Sequence, residues 1–169
     1  QIRQAFKPGE ITPEEANRIV ENLDHEHESK AIVIYNEEWH KGVIGIVASR
    51  LTEVFCRPAV VLTRSDEFAT GSARSVGGFD VYKAVESCRD LLENFGGHTY
   101  AAGLTMRVEH VEEFKQRFIK YVEENIDPAQ TMAQIDIEAT IDFRDITRKF
   151  FTDLKRFNPY GPNNPRPIF

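Results

Sequence analysis

A glycine-rich segment from Thr70 to Gly78 holds residue types that bind phosphate. Its sequence, TGSARSVGG, places two serine hydroxyls and one guanidinium among three glycines. Glycines allow backbone N–H groups to approach an anion closely, and the planar fork of an arginine fits two phosphate oxygens at once. Two interpretations stay open at this point. The segment is either a phosphate site after a strand, built around Arg74, or a glycine-rich turn with an arginine on the surface.

A second cluster surrounds His98, in the sequence FGGHTYAAG from Phe95 to Gly103. The spacing predicts that a helix ends and a strand begins here. Small neighbours allow the imidazole to lie against another backbone or a ligand, and a histidine titrates near neutral pH. A single histidine is more often structural than catalytic, so His98 is a candidate whose role this cluster alone does not decide.

A third candidate is the start of the helix predicted after Trp39. Helix N-termini present free N–H groups to anions, and an indole ring offers a stacking face for a base. The simpler interpretation, favoured for Trp39, is that the indole packs in the core while His40 caps the helix. Arg50 lies two turns further along, and a long arginine on a mostly buried helix needs a carboxylate or a phosphate as its partner.

Other chemistries find no support in the sequence. His25 and His27 alternate with carboxylates, but no second ligand cluster closes a metal site, so this run predicts a solvated turn. No G-x-S-x-G element, P-loop or Cys–His pair occurs. Two cysteines, Cys56 and Cys88, are too few for a disulfide framework. The sequence therefore predicts neither a metal site nor a general base of its own.

Composition excludes further classes of protein. The 169 residues include 21 Lys and Arg against 27 Asp and Glu, a net charge of -6, which argues against a basic nucleic-acid coat protein. Hydrophobic residues make up 41%, enough for a compact core. There is no apolar run of about 18 residues and no signal-peptide core, so we expect a soluble, cytoplasmic protein. The chain begins at Gln1 rather than Met, and we expect it to be a piece of a longer protein.

Strands and helices are predicted to alternate as far as Asp127-Pro128, which favours an α/β fold with a mixed sheet flanked by helices. Before them, Thr12 is predicted to cap a helix. After them, the alternation of apolar residues from Ile135 to Phe143 predicts a half-buried strand, and a short helix is predicted over 146–157. The other predicted strands cover 31–35, 58–63, 68–72 and 102–108. The other predicted helices cover 42–55, 80–95 and the stretch from Val111 to Val122. The first of these has a broad apolar side, which includes Ile46 and Val54 and is expected to lie in a core, and the second is expected to be capped by Asp80.

Four motifs occur in an order that resembles the C-terminal half of the RecJ family, the single-strand-specific 5′ to 3′ DNA exonucleases of the DHH phosphoesterase superfamily. They are WHKGVIGIVASRL, GSARS, GGHTYAAGLTM and PYGPNNPRPIF. The resemblance covers about residues 31 to 169. It implies a linker helix region over 1–30, a DHH-associated substrate-binding domain over 31–128, and a connection into a truncated OB-type nucleic-acid-binding domain over 129–169.

The resemblance also implies roles for individual residues. Arg74, with Ser72 and Ser75, is expected to contact the backbone or terminal phosphate of single-stranded DNA. The glycines Gly96 and Gly97 are expected to face the metal cleft, with His98 as a catalytic residue near the scissile end. Weaker candidates for phosphate contact are Arg50 and His40.

Two departures from the family pattern matter. The metal-binding motifs of the catalytic domain are missing from this sequence, so Mn or Mg ions would be bound by a domain outside it, and the chain alone is expected to be inactive. Asn163 stands where the family has a glycine before Asn-Pro.

Two alternative functions stay open. One is a phosphoesterase of the same superfamily acting on short oligonucleotides, a nucleoside bisphosphate or cyclic dinucleotides. The other is a non-catalytic nucleic-acid-binding module, like the related domain of alanyl-tRNA synthetases. The WHKGVIGIVASRL run and the OB-like continuation favour long DNA, and with it a role in DNA repair and recombination.

Overall fold

The computed structural model describes residues 29–132, 135–161 and 163–169. The chain divides into two compact units, one up to residue 133 and one from residue 134 onwards, and each is described by itself. The helix predicted at Thr12 and the residues His25 and His27 lie outside the described residues. Within them, no helix is long and apolar enough to cross a bilayer.

The described residues of the first unit, 29–132, form a five-stranded sheet and three α-helices. In chain order its elements are β1 (Ile32–Tyr35), α1 (Lys41–Phe55), β2 (Ala59–Ser65), β3 (Phe68–Arg74), α2 (Val81–Glu86), β4 (Leu92–His98), β5 (Ala101–Arg107) and α3 (Val111–Asn125).

The sheet has the strand order β1-β2-β3-β5-β4. β1 and β2 run parallel, and α1 provides the crossover that a parallel pair requires. All other neighbouring strands pair antiparallel. The α/β class predicted from the alternation of elements, a mixed sheet flanked by helices, is confirmed.

Two apolar clusters cover the two faces of the sheet unequally. On one face, buried residues of the central strands pack against α2 and α3, with Phe114 and Phe118 fully buried. On the other face, α1 packs on β2 and β3 through Val47 and Leu51. A Cβ added at Gly96 of β4 or Gly103 of β5 would meet no atom within 4 Å. This second face is therefore open over β4 and β5, and we call that area the open face.

The helix predicted over 80–95 is much shorter in the structure. Asp80 caps α2 as predicted, its carboxylate accepting the Lys83 N–H at 3.2 Å, but the helix ends at Glu86. Residues Leu92–His98 form β4 instead. Gly96 and Gly97 are poor helix formers. As part of a strand, residues 92–98 form backbone hydrogen bonds with β5, which they could not form in a longer helix. Gly96 is therefore part of a strand and does not end a helix.

The broad apolar side predicted for α1 is only partly buried. The helix has nearly the predicted bounds, and Ile44, Val47 and Leu51 lie in the core. Ile46 and Val54, which the pattern also placed in a core, are 65% and 47% exposed. The sheet contacts only one side of the helix, because α1 packs on one layer rather than between two.

In the second unit the strand predicted from Ile135 to Phe143 does not form. Residues 135–142 have no regular structure, and Ile135 and Ile137 are exposed. The described residues of this unit contain no strand to pair with, and an unpaired strand leaves its backbone groups unsatisfied. The predicted helix is present in shorter form as α4 (Arg148–Lys155), capped by the Thr147 hydroxyl, which accepts the Phe150 N–H at 3.1 Å.

Candidate functional site

The strand predicted over 68–72 contains Ser72 and extends further in the structure, so that Arg74 also lies on it. The segment from Thr70 to Arg74 is the second part of β3, so its side chains alternate between the two faces of the sheet. Ala69 and Ala73 point into the core, whereas Ser72 and Arg74 point to the face that α1 partly covers. The predicted loop is confined to the residues after Arg74.

The strand register brings Arg74 and His98 onto the same face. Arg74 pairs directly with Ala101 of β5, and Ala101 pairs directly with His98 of β4. Directly paired residues point to the same side of a sheet. With strands about 4.8 Å apart, the two Cα atoms lie roughly 10 Å from each other. The two motifs that the sequence singled out thus form one row across three strands.

Two further rows of paired residues continue this surface, in the direction away from the turn that joins β4 and β5. Ser72 pairs with Gly103, which pairs with Gly96; the next row consists of Thr70, Thr105 and Asn94. A shallow depression of about 350 Å³ occupies this area. Its lining comprises Thr70, Gly71, Asn94, Phe95, Gly96, Gly103, Leu104 and Thr105. The open face therefore carries hydroxyl and amide groups around a floor formed by two glycines.

The Arg74 guanidinium is half-buried beside α1. Its Nη1 donates to the Ser72 Oγ at 2.7 Å and to the Ala73 carbonyl at 2.8 Å. Within the described part of the chain, no carboxylate lies within ion-pair distance of this guanidinium, and its Nε and Nη2 donate to no protein acceptor. Those N–H groups are available to an anion, for which two parallel hydrogen bonds are the strong geometry.

His98 is exposed at the end of β4, where its ring is oriented by the following turn. Its Nδ1 accepts the Tyr100 backbone N–H at 3.3 Å. In the neutral imidazole the ring proton is then on Nε2, because an accepting Nδ1 carries none. Nε2 is left to donate a hydrogen bond to a group on the open face.

The backbone conformation of β4 requires a glycine at position 97. Its φ is +154°, and a Cβ there would lie 2.2 Å from the Ala101 carbonyl oxygen. Gly97 pairs with the buried Ala102, so it faces away from His98 and Gly96. Of the adjacent glycines Gly96 and Gly97, only Gly96 borders the open face.

Backbone hydrogen bonds connect the two motifs. The Ser75 N–H donates to the Tyr100 carbonyl and the Val81 N–H to the Thr99 carbonyl, both at 3.0 Å. The Ser75 hydroxyl donates to the Phe79 carbonyl at 2.6 Å, which closes the loop after β3. Ser75 therefore holds the loop against the hairpin, and its contact with phosphate stays a prediction.

The two weaker candidates, His40 at the N-cap of α1 and Arg50 within α1, lie outside the row of Arg74 and His98. His40 caps the helix, its Nδ1 accepting the Gly42 N–H at 3.1 Å, as the simpler interpretation predicted. Trp39 is partly buried against the core cluster under α1. The Arg50 side chain is 48% exposed and pairs with the Glu53 carboxylate at 3.1 Å, which supplies the partner that the sequence required.

An ion pair between Arg117 and Asp90 holds the start of β4 against α3. Arg117 of α3 donates two hydrogen bonds of 2.7 Å to Asp90, in the turn before β4. These hydrogen bonds hold the pKa of the Asp90 carboxyl below its ordinary value. The pair ties the start of β4 to α3, so it positions the strand that carries His98.

The described residues do not fit a metal ion. No group of three or more His, Cys, Asp or Glu side chains comes together within residues 29–132, 135–161 and 163–169. A two-metal phosphoesterase site needs several such ligands around each ion.

Sequence reasoning missed four residues of this surface: Thr70, Asn94, Thr105 and Tyr100. The alternation of β3 and β5 is visible in TGSAR and AAGLTMR, but the strand predicted over 68–72 ends before Arg74. The helix predicted over 80–95 includes Asn94, which lies on β4 in the structure. Because residues pair across strands, the shared face follows only from the register.

Comparison with known proteins gives consistent matches. The model of the DHHA1 domain family matches residues 28–124. The single-stranded-DNA-specific exonuclease RecJ of Bacillus subtilis is 36% identical over 139 residues, which are 81% of this chain and 18% of that protein. The protein of the same name from Salmonella typhimurium is 33% identical over 162 residues, 92% of this chain and 28% of that protein.

Among solved structures, RecJ from Thermus thermophilus in complex with Mg2+ superposes with a TM-score of 0.79 and 31% identity. The match covers 91% of this chain and 24% of that one. The chain therefore spans less than a third of each of these proteins.

Proposed function

We propose that this chain, which belongs to the DHHA1 domain family, is the substrate-binding part of a RecJ-type exonuclease that degrades single-stranded DNA. The relatives are named as single-stranded-DNA-specific exonucleases, and the chain spans at most 28% of the two curated relatives described above. Hydrolysis, its 5′ to 3′ direction, a cytoplasmic location and a role in DNA repair and recombination are proposed for the whole protein. The contribution of this chain is binding.

The observation that carries the proposal is the arrangement of Arg74, Ser72 and His98 on the open face. The free Nε and Nη2 of Arg74 would donate to phosphate oxygens. The Ser72 Oγ accepts from Nη1, so its own O–H is available to the same phosphate. His98 would present its Nε2–H to the scissile end from the far side of the row.

The acidic net charge of -6 does not oppose this assignment. Single-strand binding depends on a few placed cations and on surfaces that admit the backbone, not on total charge. Arg74 lies within 4 Å of no carboxylate in the described residues, so its charge is not neutralised by the protein.

Mn or Mg ions would be held by the catalytic domain of the full-length protein. When bound, such ions activate water and stabilise the leaving oxygen. The residues of this chain would present the phosphate and orient the strand end toward that domain. The chain by itself is therefore proposed to be inactive.

The experiment compares Arg74→Ala with Arg64→Ala in the full-length protein. Arg64 is an exposed arginine of β2, paired with Glu37 at 3.0 Å, and its neighbours Thr63 and Ser65 are the ones that share the α1 face. We expect Arg74→Ala to weaken binding of 5′-phosphorylated single-stranded DNA roughly 10- to 100-fold, since a hydrogen bond between charged groups is worth about 1.5–3 kcal/mol. Arg64→Ala should bind like the wild type.

Wild-type affinity and hydrolysis in Arg74→Ala would refute the assignment. Full-length protein that hydrolyses dinucleotides in preference to long single strands would instead support the short-substrate alternative. Binding without any metal-dependent hydrolysis by the full-length protein would support the non-catalytic module.

A further inference from the structure

The ring of Tyr100 is exposed at the point where the two motifs meet. Tyr100 is the second residue of the two-residue turn between β4 and β5, and 62% of its surface is accessible. Proteins that bind single-stranded nucleic acid commonly place aromatic side chains beside the groove that follows the backbone. The phosphate chemistry described above gives Tyr100 no role.

The backbone of Tyr100 is held in place on both sides. Its N–H donates to the His98 Nδ1 at 3.3 Å, and its carbonyl accepts the Ser75 N–H at 3.0 Å. Its ring lies edge-on to the His98 ring, with centroids 6.1 Å apart and planes at 66°. The phenol hydroxyl forms no hydrogen bond with the described residues. The ring is thus oriented by one neighbour and leaves most of its surface to solvent.

Tyr100 lies within the span of one nucleotide from Arg74. Ala101 pairs directly with Arg74, which places their Cα atoms about 5 Å apart. Tyr100 adjoins Ala101 at a Cα distance of about 3.8 Å. The Tyr100 and Arg74 Cα atoms are therefore within roughly 9 Å, so one nucleotide can reach the guanidinium with its phosphate and the ring with its base.

We propose that Tyr100 is a stacking platform for an unpaired base of the nucleotide whose phosphate Arg74 binds. This inference rests on the proposed function. Stacking of a base on an aromatic ring is tolerant of sequence, because every base has a π-face. It therefore adds affinity for single strands without selecting among them. Tyr100 is a substrate-binding residue in this proposal, and by stacking on the base it holds the end of the strand beside His98.

The test measures coupling between Tyr100 and one base of the DNA. Full-length protein in EDTA, so that no hydrolysis occurs, is titrated with 5′-phosphorylated oligothymidylate and with three versions that carry one abasic site at the first, second or third nucleotide. Affinities are measured by fluorescence anisotropy for the wild type, Tyr100→Ala and Tyr100→Phe. Tyr100→Phe is the matched control, because it keeps the ring and removes only the hydroxyl.

We expect Tyr100→Ala to weaken binding of intact DNA roughly 5- to 100-fold, the range found for base–aromatic stacking. The same substitution should have little effect on one of the three abasic oligonucleotides, whose missing base is the one that stacks. Tyr100→Phe should stay within about twofold of the wild type. Equal weakening by Tyr100→Ala on all four oligonucleotides, or no weakening at all, would overturn the proposal, because a residue that only orients His98 shows no dependence on a base.

Two further measurements keep the result interpretable. Arg74→Ala is titrated in parallel: if it weakens binding while Tyr100→Ala does not, the stacking proposal alone fails, and if neither weakens binding, the proposed function fails as well. 2-Aminopurine at the coupled position should be quenched in the complex with wild type and Tyr100→Phe, and not with Tyr100→Leu. Unquenched 2-aminopurine with the wild type would contradict stacking.

Discussion

The guanidinium of Arg74 lies directly against Gly45 of α1. A Cβ at Gly45 would be 3.0 Å from the Arg74 Nη2 and 3.3 Å from the Ser72 Oγ. The missing side chain of a helix residue therefore creates the space in which the candidate phosphate ligand lies. Gly45 belongs to the WHKGVIGIVASRL motif and Arg74 to GSARS, so the contact gives a physical reason for both motifs to occur in one domain.

Gly45→Ala should separate binding from stability. Alanine is the better helix former by about 1 kcal/mol, so the free energy of unfolding should not fall. The Arg74 side chain must move away from the new methyl group, and binding of 5′-phosphorylated single-stranded DNA should weaken several-fold. Anisotropy titration and urea unfolding measure the two effects. In an Arg74→Ala background, Gly45→Ala should change affinity no further; an equal loss in both backgrounds would show that the effect does not pass through Arg74.

Gly97→Ala and Gly96→Ala should differ strongly although the residues are adjacent. At Gly97 the new methyl group meets backbone atoms of the paired strand, at 2.2 Å and 2.6 Å, and the φ of +154° is strained for alanine. Such strain alone costs about 1–3 kcal/mol, so we expect a loss of at least about 2 kcal/mol in urea unfolding. Gly96→Ala adds a methyl group in open space and should stay within about 0.5 kcal/mol of the wild type. Similar losses in both variants would contradict the register of β4 and β5.

The Asp90–Arg117 pair should make stability depend on acid pH. The folded-state pKa of Asp90 is lowered, first by its hydrogen bonds with Arg117, so the carboxylate contributes stability above its unfolded value of 3.8. That contribution is lost as the pH falls through the lower folded-state pKa. Asp90→Asn should therefore have a lower melting temperature than the wild type at pH 7, and the difference should shrink toward pH 3. Glu86→Gln, which changes an exposed carboxyl on α2, is the control; a difference for Asp90→Asn that is constant with pH would argue against the pair.

Binding by the isolated chain should be weak and sensitive to salt. The affinity for single strands falls with salt concentration at a logarithmic slope of about -0.7 for each phosphate neutralised. Arg74→Ala should make this slope shallower by about 0.7, the value for one phosphate contact, whereas Arg64→Ala should leave the slope unchanged. Titrations between about 50 and 200 mM salt measure this. With Mn added, the isolated chain should cleave little or no DNA, and robust cleavage would show that its own residues hold a catalytic metal.

Local signals predicted α1 and α3 well and failed for α2. The α1 pattern combined a capping residue, His40, with apolar residues at helical spacing, both of which act within one segment. The Asp80 cap also acts locally, and it marked the start of α2 correctly. The end of α2 depends on β5, which lies after it in the chain and offers backbone partners to residues 92–98. The strand predicted from Ile135 to Phe143 does not form because the described residues of the second unit contain no strand with which it could pair.

The sequence by itself determined which residue types are available: an arginine and serines in GSARS, a histidine between small residues in GGHTYAAG, and the α/β order of elements. Only the tertiary structure decided that Arg74 and His98 share a face, that Gly97 turns away from it, and that Tyr100 borders it. The physical reason is that strand neighbours in a sheet are set by hydrogen bonds between distant segments. A register shift of one residue would move Arg74 to the opposite face, and no spacing within one segment specifies that register.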